Sequence, residues 1–337
     1  MPRPTIAELI PGQTVQEAFV LTSFKLAPFK NKPGQYLDLR LVDRTGELAA
    51  RMWDGAEKAA ESLETGTVVM VEARVDEYRG EKQLVLTSLR AAEPGEYDRA
   101  DFVRVASRPV AEMLEELDQT IAEVANPHLQ GLLRQVFQES DFRDRFPYAP
   151  GAARLHHACV GGLLQHTLSV AAICRRAVEI HPEMDRDLLV SGALLHDVGK
   201  VWELGGELAY AYTDAGRFFG HVVLTDRFVT REIAEREGFP PRLADRLTHM
   251  LLSHHGELQW GAPIRPALPE AMALHYADNL DAKLQIAADF VNTAGREGNW
   301  TTWNDRLETR LYLGLSDPEP EEEPEEESES DTLPGFY

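Results

Sequence analysis

Histidine is concentrated in one part of this sequence, where aspartate accompanies it. Ten of the eleven histidines lie between His156 and His275, and several occupy apolar positions of helical patterns. One such histidine is usually a core side chain, but a repeated set beside buried acids is unfavourable unless the groups are paired or bind a metal. Imidazole and carboxylate groups together are typical metal ligands. The residues that indicate a metal-dependent centre are His166, His196, Asp197, His221, His254, His255 and Asp278.

Lysine is rare here, and its position is informative. The chain has 27 arginines and 7 lysines, and after Lys82 only Lys200 and Lys283 remain. Both lie close in sequence to candidate ligands. Because a compact ammonium can neutralise a phosphate oxygen as a point charge, we expect Lys200 to contact phosphate. Lys283 could equally pair with Asp278 or Asp281.

The order H…HD…H…HH…D resembles that of the HD phosphohydrolase superfamily over about residues 150–290. The resemblance implies two divalent ions in a helical bundle. For the first ion, the implied ligands are His166, His196, Asp197 and Asp278. For the second they are His221, either His254 or His255, and Asp197 as the catalytic bridge. Water between two such ions loses a proton readily and can attack a phosphate. The mixed ligands suit manganese best, with iron, cobalt, nickel or magnesium as alternatives.

Helical periodicity surrounds these residues. Apolar residues recur at intervals of three and four in seven stretches, which predicts an all-α domain. The stretches are 110–125, 128–140, 161–180, 187–204, 220–237, 242–256 and 268–291.

The first part of the chain has a different pattern, rich in β-branched and aromatic residues. The predicted strands are 15–24, 35–43, 48–54, 67–75 and 83–91, with a helix at 55–63. A helix between the third and fourth of five strands matches an OB-type barrel, with another small barrel as the alternative. The predicted fold class is therefore multidomain α+β. Its parts are an N-terminal OB-type β-barrel (1–95), a linker (96–110), a C-terminal all-α HD-domain helical bundle (111–315) and a disordered acidic tail (316–337).

One barrel segment suggests nucleic acid. Residues 24–36, expected to be the loop between the first two strands, carry three lysines and three aromatic residues and no acid. A groove for a single strand needs stacking faces and scattered cations, although these rings could equally belong to the barrel core or rim. Alternation along 35–43 predicts leucines inside, with Tyr36 and Arg40 outside. The expected contacts are Lys25, Phe29, Lys30, Lys32, Tyr36, Arg40, Trp53 and Tyr78, joined by Trp260 in the helical domain.

The barrel joined to the HD pattern resembles the YhaM-type 3′→5′ exoribonucleases over about residues 12–300. The stretches that carry this resemblance are HHACVGGLLQHT at 156–167 and SHHGELQWGAP at 253–263. It implies hydrolysis of single-stranded RNA from the 3′ end to 5′-mononucleotides, with single-stranded DNA as an alternative substrate. His156 would contact the nucleic acid and His157 would protonate the leaving oxygen, unless the pair only caps the following helix.

Two other functions stay open from the sequence. One is a phosphohydrolase of small nucleotides, such as a nucleotidase or cyclic-nucleotide phosphodiesterase, with a regulatory or oligomerising barrel. The aromatic and basic segment 24–36 disfavours it. The other is a non-catalytic nucleic-acid-binding protein, which the intact set of candidate ligands disfavours.

Composition limits the partners. The net charge is −22, and residues 316–337 hold ten acids and no base, so the rest of the chain still carries −12, which argues against a broad basic surface for duplex DNA. The tail is expected to be solubilising or to dock a protein partner, and homo-oligomerisation stays open. Two cysteines without a C-x-x-C motif fit a reducing cytoplasm. Neither a signal peptide nor an apolar run of roughly 18 residues occurs, so we expect a cytoplasmic protein that does not enter the membrane.

Overall fold

A computed structural model describes most of the chain. The described residues are 4–29, 32–78, 81–93, 95–98, 101–102, 105–139, 142–152, 159–206 and 210–314. Lys30, His156, His157 and the acidic tail 316–337 lie outside these ranges. What the sequence predicts for them therefore stays a prediction.

Five strands form a closed barrel in the order β1-β2-β3-β5-β4. Neighbouring strands are antiparallel except β3 and β5, which are parallel. A helix, α1, lies between β3 and β4 as predicted, and the OB-type barrel is confirmed. The bounds are β1 (Thr14–Pro28), β2 (Gln35–Asp43), β3 (Gly46–Met52), α1 (Ala56–Ala60), β4 (Val68–Tyr78) and β5 (Glu81–Ala91).

The strand β1 is longer than the sequence predicts. It continues to Pro28 and pairs with β2, so that Phe24 lies opposite Leu39. The expectation that the whole of 24–36 is a loop is therefore wrong, because pairing with β2, whose bounds are those predicted, extends β1 as far as Pro28. The inward placement of the β2 leucines is confirmed, since all three are buried in the barrel core: Leu37, Leu39 and Leu41.

Nine further helices form the second domain within the described residues, and the predicted C-terminal helical bundle is confirmed. Their bounds are α2 (Val110–Ala122), α3 (Pro127–Arg134), α4 (Phe142–Arg145), α5 (Gly162–Ile180), α6 (Arg186–Leu195), α7 (Lys200–Glu203), α8 (Asp214–Ala234), α9 (Pro241–Ser253) and α10 (Pro269–Thr293). Two small strand pairs accompany them, which the helical periodicity did not predict: β6 (Leu204–Gly205) with β7 (Ala211–Tyr212), and β8 (Arg296–Glu297) with β9 (Trp300–Thr301).

The predicted helical stretch 187–204 is broken in the middle. A turn over His196–Gly199 separates α6 from α7. Gly199 makes this turn possible, because a Cβ there would lie 2.3 Å from the carbonyl oxygen of His221. The turn is thus pressed directly against α8. Apolar periodicity alone could not reveal this close approach.

The helices α2, α3, α5, α6, α9 and α10 surround one apolar core. None of the described helices is long and apolar enough to cross a membrane. The exact limits of the two domains and of the linker stay a prediction.

Candidate metal centre

Five elements bring the candidate ligands together. His166 lies on α5, the His196–Asp197 pair follows α6, and His221 lies on α8. His254 and His255 follow α9, and Asp278 lies on α10. Gly256, with φ of 77°, ends the α9 turn, and a Cβ there would lie 2.3 Å from the His275 ring. All seven predicted ligands therefore meet in one place inside the helical domain.

Each imidazole is oriented through its Nδ1 atom, which leaves Nε2 facing the centre. His196 Nδ1 donates to the Ala193 carbonyl at 2.8 Å, and His254 Nδ1 donates to the Leu251 carbonyl at 2.7 Å. His255 Nδ1 donates to the carbonyl of Trp260 at 2.8 Å. Such bonds fix the tautomer that presents the Nε2 lone pair to a metal.

The two carboxylate oxygens of Asp197 face two different groups of histidines. Oδ2 lies 3.4 Å from Nε2 of both His166 and His196. Oδ1 lies 3.4 Å from His221 Nε2 and 3.6 Å from His254 Nε2. Asp197 thus lies between the two groups, as a bridging ligand must.

The other contacts complete two separate donor sets. In the first, Asp278 Oδ1 is 3.2 Å from His166 Nε2. In the second, His221 Nε2 and His255 Nε2 are 3.1 Å apart. Two donors that each lie about 2.1 Å from one ion are about 3.0–3.4 Å apart in octahedral or tetrahedral geometry. The observed separations fit two adjacent ions.

Two buried atoms at the centre have no hydrogen-bond partner among the described residues: Asp197 Oδ1 and His254 Nε2. Buried polar atoms are almost always satisfied, and an unsatisfied one indicates a missing water or ion. Both atoms belong to the second donor set. The HD domain is metal-dependent, and these histidine and aspartate groups could hold metal ions.

Charged side chains of opposite sign lie close together within the centre. Burial disfavours an ionised Asp197, but Lys200 and His196 outweigh it and hold its pKa well below the usual range. Lys200 Nζ lies 2.5 Å from Asp197 Oδ2. Burial, reinforced by His254 and His221, lowers the pKa of His255 to about 3, so that its ring is neutral. A neutral imidazole is the form that binds metal.

Two carboxylates that the sequence analysis did not assign to the site orient one histidine in each donor set. Asp281 Oδ2 is 2.6 Å from His166 Nδ1. Glu203 Oε1 accepts from the His221 backbone at 2.9 Å and lies 3.0 Å from His221 Nδ1. Asp281 could have been found from its three-residue spacing after Asp278 on α10. Glu203 gives no such signal, since the break at Gly199 determines its position.

We expect Asp281→Asn and Glu203→Gln each to weaken metal binding by about 10–100-fold, because each removes the charged acceptor behind a ligand. Calorimetric titration with Mn²⁺ should show two binding steps. Asp281→Asn should weaken one of them, and Glu203→Gln should weaken the other. Glu232→Gln is the matched control, since Glu232 is also buried but bonds Gln135. Two unchanged binding steps in both variants would contradict these roles.

Three of the aromatic residues predicted to contact nucleic acid lie together on the outside of the barrel. Tyr36 and Trp53 have ring centroids 4.9 Å apart, and Phe29 stacks on Trp53 at 6.1 Å. Lys32 Nζ lies 4.1 Å from the centre of the Phe29 ring. Trp53 remains 37% exposed, so these rings are not barrel core. Together they form a surface suited to stacking with bases.

The other described barrel residues predicted to contact nucleic acid interact with side chains of the barrel itself. Lys25 pairs with Asp38 at 3.4 Å, an acid that the hairpin brings from the next strand. Arg40 lies 3.8 Å from Glu47. The Tyr78 ring, which is exposed, lies under the Arg51 guanidinium at 5.7 Å.

Trp260 lies in the other domain, beside the metal centre. Its ring is half exposed and contacts His275 at 5.9 Å, and its carbonyl holds His255. The structure therefore places Trp260 next to the second donor set, while its predicted stacking on a base stays a prediction.

Two family models match this chain. The HD domain matches residues 163–283, and the OB-fold nucleic acid binding domain matches residues 21–92. Among solved structures, the second OB-fold domain of replication protein A from Methanococcus maripaludis covers 28% of this chain and 97% of its own at 18% identity. Its TM-score is 0.23.

Curated relatives match almost the whole chain. The 3′-5′ exoribonuclease YhaM of Bacillus velezensis is 35% identical over 305 residues, covering 89% of this chain and 95% of the relative. YhaM of Bacillus subtilis is 35% identical over 303 residues, covering 89% and 94%. YhaM of Listeria innocua is 36% identical over 278 residues, covering 82% and 87%. With its barrel and its histidine–aspartate centre, this chain belongs to the YhaM family of 3′-5′ exoribonucleases.

Proposed function

We propose that this protein removes nucleotides one at a time from the 3′ end of single-stranded RNA, and releases 5′-mononucleotides. The observation that carries the proposal is the position of Asp197, whose two oxygens face two separate groups of histidines. Family membership supports the direction and the substrate. Activity on single-stranded DNA is part of the same proposal.

We infer that each donor set holds one divalent ion. The first set is His166, His196, Asp197 and Asp278; the second is Asp197, His221, His254 and His255. When bound, such ions lower the pKa of a bound water and offset the negative charge of the phosphate. Manganese is proposed because imidazole and carboxylate donors are mixed, with iron, cobalt, nickel or magnesium as alternatives.

Protein side chains around the ions have proposed roles in positioning the substrate. Lys200 is buried against Asp197 but keeps 17% of its side chain exposed at the rim, where it would neutralise a phosphate oxygen. His156 and His157 are proposed to contact the scissile phosphate and protonate the leaving oxygen. We also propose that the protein is located in the cytoplasm.

The barrel is proposed to hold the strand upstream of the scissile bond. The stacked surface of Phe29, Tyr36 and Trp53 supports this, since base–aromatic stacking tolerates any sequence. Lys30 is proposed as a phosphate contact beside Lys32. No comparable observation favours small nucleotides as the substrate.

The first experiment is a time course on single-stranded RNA labelled at the 5′ end or the 3′ end, with each divalent ion and with a chelator. We expect the 3′ label to appear at once as a mononucleotide and the 5′-labelled strand to shorten progressively. A chelator should stop both, and added Mn²⁺ should restore them. Internal fragments, or cleavage only of free nucleotides, would contradict the proposal.

A further inference from the structure

Two phenylalanines are exposed just before the candidate ligand His221. Phe218 is 80% exposed and Phe219 is 44% exposed, and their ring centroids are 6.1 Å apart. Neither ring belongs to the apolar core of the domain. Adjacent large apolar side chains left open to water indicate a binding surface.

The turn that carries these rings is held rigidly. Thr213 Oγ1 donates to the Trp202 carbonyl at 2.6 Å and accepts from the Gly216 backbone at 3.0 Å. Gly216 lies so close to α7 that a Cβ there would be 2.3 Å from the Glu203 carbonyl oxygen. The two rings therefore extend from a fixed backbone, as a preorganised site requires.

The same turn is connected to the metal centre. Glu203, whose main chain supports Gly216, also holds the His221 ring through its carboxylate. Gly220, with φ of 68° and ψ of 159°, separates the first turn of α8 from the part that carries His221. Phe219 is thus two residues from His221, a candidate ligand of the second donor set.

Positive charge accompanies the rings. The Arg227 guanidinium lies 4.1 Å from the centre of the Phe219 ring. Within the described part of the chain, neither Arg227 nor Arg217 has a carboxylate partner. Asp226, the acid next in sequence, instead accepts a hydrogen bond from Thr230. In a chain of net charge −22, an arginine such as Arg227 beside an exposed ring forms a local site that is complementary to phosphate.

A cleft continues this surface along α8. Its volume is about 190 Å³, and its lining residues are Trp202, Leu224, Arg227, Phe228 and Arg231. Arg231, which pairs with Glu232, lies over the Phe228 ring at 5.2 Å, and that ring is buried in the apolar core. Exposed ring faces beside a cation are the pattern that holds a single strand, and Phe218, Phe219 and Arg227 supply it here.

We propose that Phe218 and Phe219, together with Arg227, bind the last nucleotides at the 3′ end, with bases stacked on the rings and a phosphate on the guanidinium. The inference rests on the proposed nuclease function. The barrel surface would then hold the upstream strand, and this α8 surface would hold the end that enters the metal centre.

Photo-crosslinking tests directly where the 3′-terminal nucleotide binds. RNA with 5-iodouridine at the 3′ terminus, or at a position far upstream, is bound to full-length Asp197→Ala protein and irradiated. We expect the terminal label to crosslink to the peptide containing Phe218 and Phe219, and the upstream label to crosslink to Tyr36 or Trp53. Terminal crosslinks found only elsewhere, with RNA still bound, would overturn this inference alone. Absence of RNA binding would overturn the proposed function as well.

The kinetics of dinucleotide hydrolysis distinguish a stacking role of Phe218 and Phe219 from a purely structural one. We expect Phe218→Ala with Phe219→Ala to raise KM about 10-fold or more and to change kcat little, from a stacking loss of about 1.4 kcal/mol or more. Phe→Tyr at both positions should restore binding, and Phe→Leu should not, because leucine is apolar but has no ring face. Rescue by leucine, or an altered oligomeric state with unchanged KM, would show a packing or subunit contact instead. Trp303→Ala, which removes an exposed ring elsewhere, is the control.

Discussion

Replacing Asp197 with alanine is expected to abolish hydrolysis, with a loss on the order of 10⁴-fold, because the residue acts with the whole donor set rather than alone. The carboxylate is buried, and it faces His166 and His196 with one oxygen and His221 and His254 with the other. The measurement is the rate of mononucleotide release from labelled RNA at saturating Mn²⁺.

Two further variants make that result specific. Asp197→Asn keeps the shape of the side chain and should also be inactive, since the amide lacks the charge needed to bridge two ions. Asp245→Ala, at an exposed position of α9, should be fully active. Circular dichroism should show the same helix content in all three. Full activity of metal-loaded Asp197→Ala would disprove the two-ion centre.

Removing the aromatic side chains on the outside of the barrel is expected to weaken binding of long substrates and to leave hydrolysis of short ones unchanged. Tyr36→Ala with Trp53→Ala should weaken binding of a long strand by about 10–100-fold, since stacking contributes about 1–3 kcal/mol per base. Hydrolysis of a dinucleotide should stay unchanged, because the metal centre lies in the other domain. Fluorescence anisotropy with labelled RNA of several lengths measures the first effect, and dinucleotide turnover measures the second.

Deleting residues 1–95 extends the same test. The loss on long strands should exceed the loss on dinucleotides by at least the factor seen for the two substitutions. If both substrates lose activity equally, the barrel is needed to build the metal centre or an oligomer, and its role in holding the strand is wrong.

Much of the fold follows from local patterns. Alternation along β2 put leucines inside because successive side chains of a strand face opposite sides. The helical stretches kept their apolar period, since burying one face of each helix stabilises the bundle. The candidate ligands were found because histidine and aspartate are unusual among apolar residues, and their order resembles that of a known superfamily.

What the sequence determined by itself was therefore the domain types, and it predicted the candidate ligands and the aromatic residues of the barrel. The tertiary structure decided which atoms face each other. It broke the helix at His196–Gly199, assigned one oxygen of Asp197 to each group of histidines, and placed Glu203 behind His221. It also left Phe218 and Phe219 exposed just before His221. These are contacts between residues far apart in the chain or in irregular turns, and local periodicity contains no information about them.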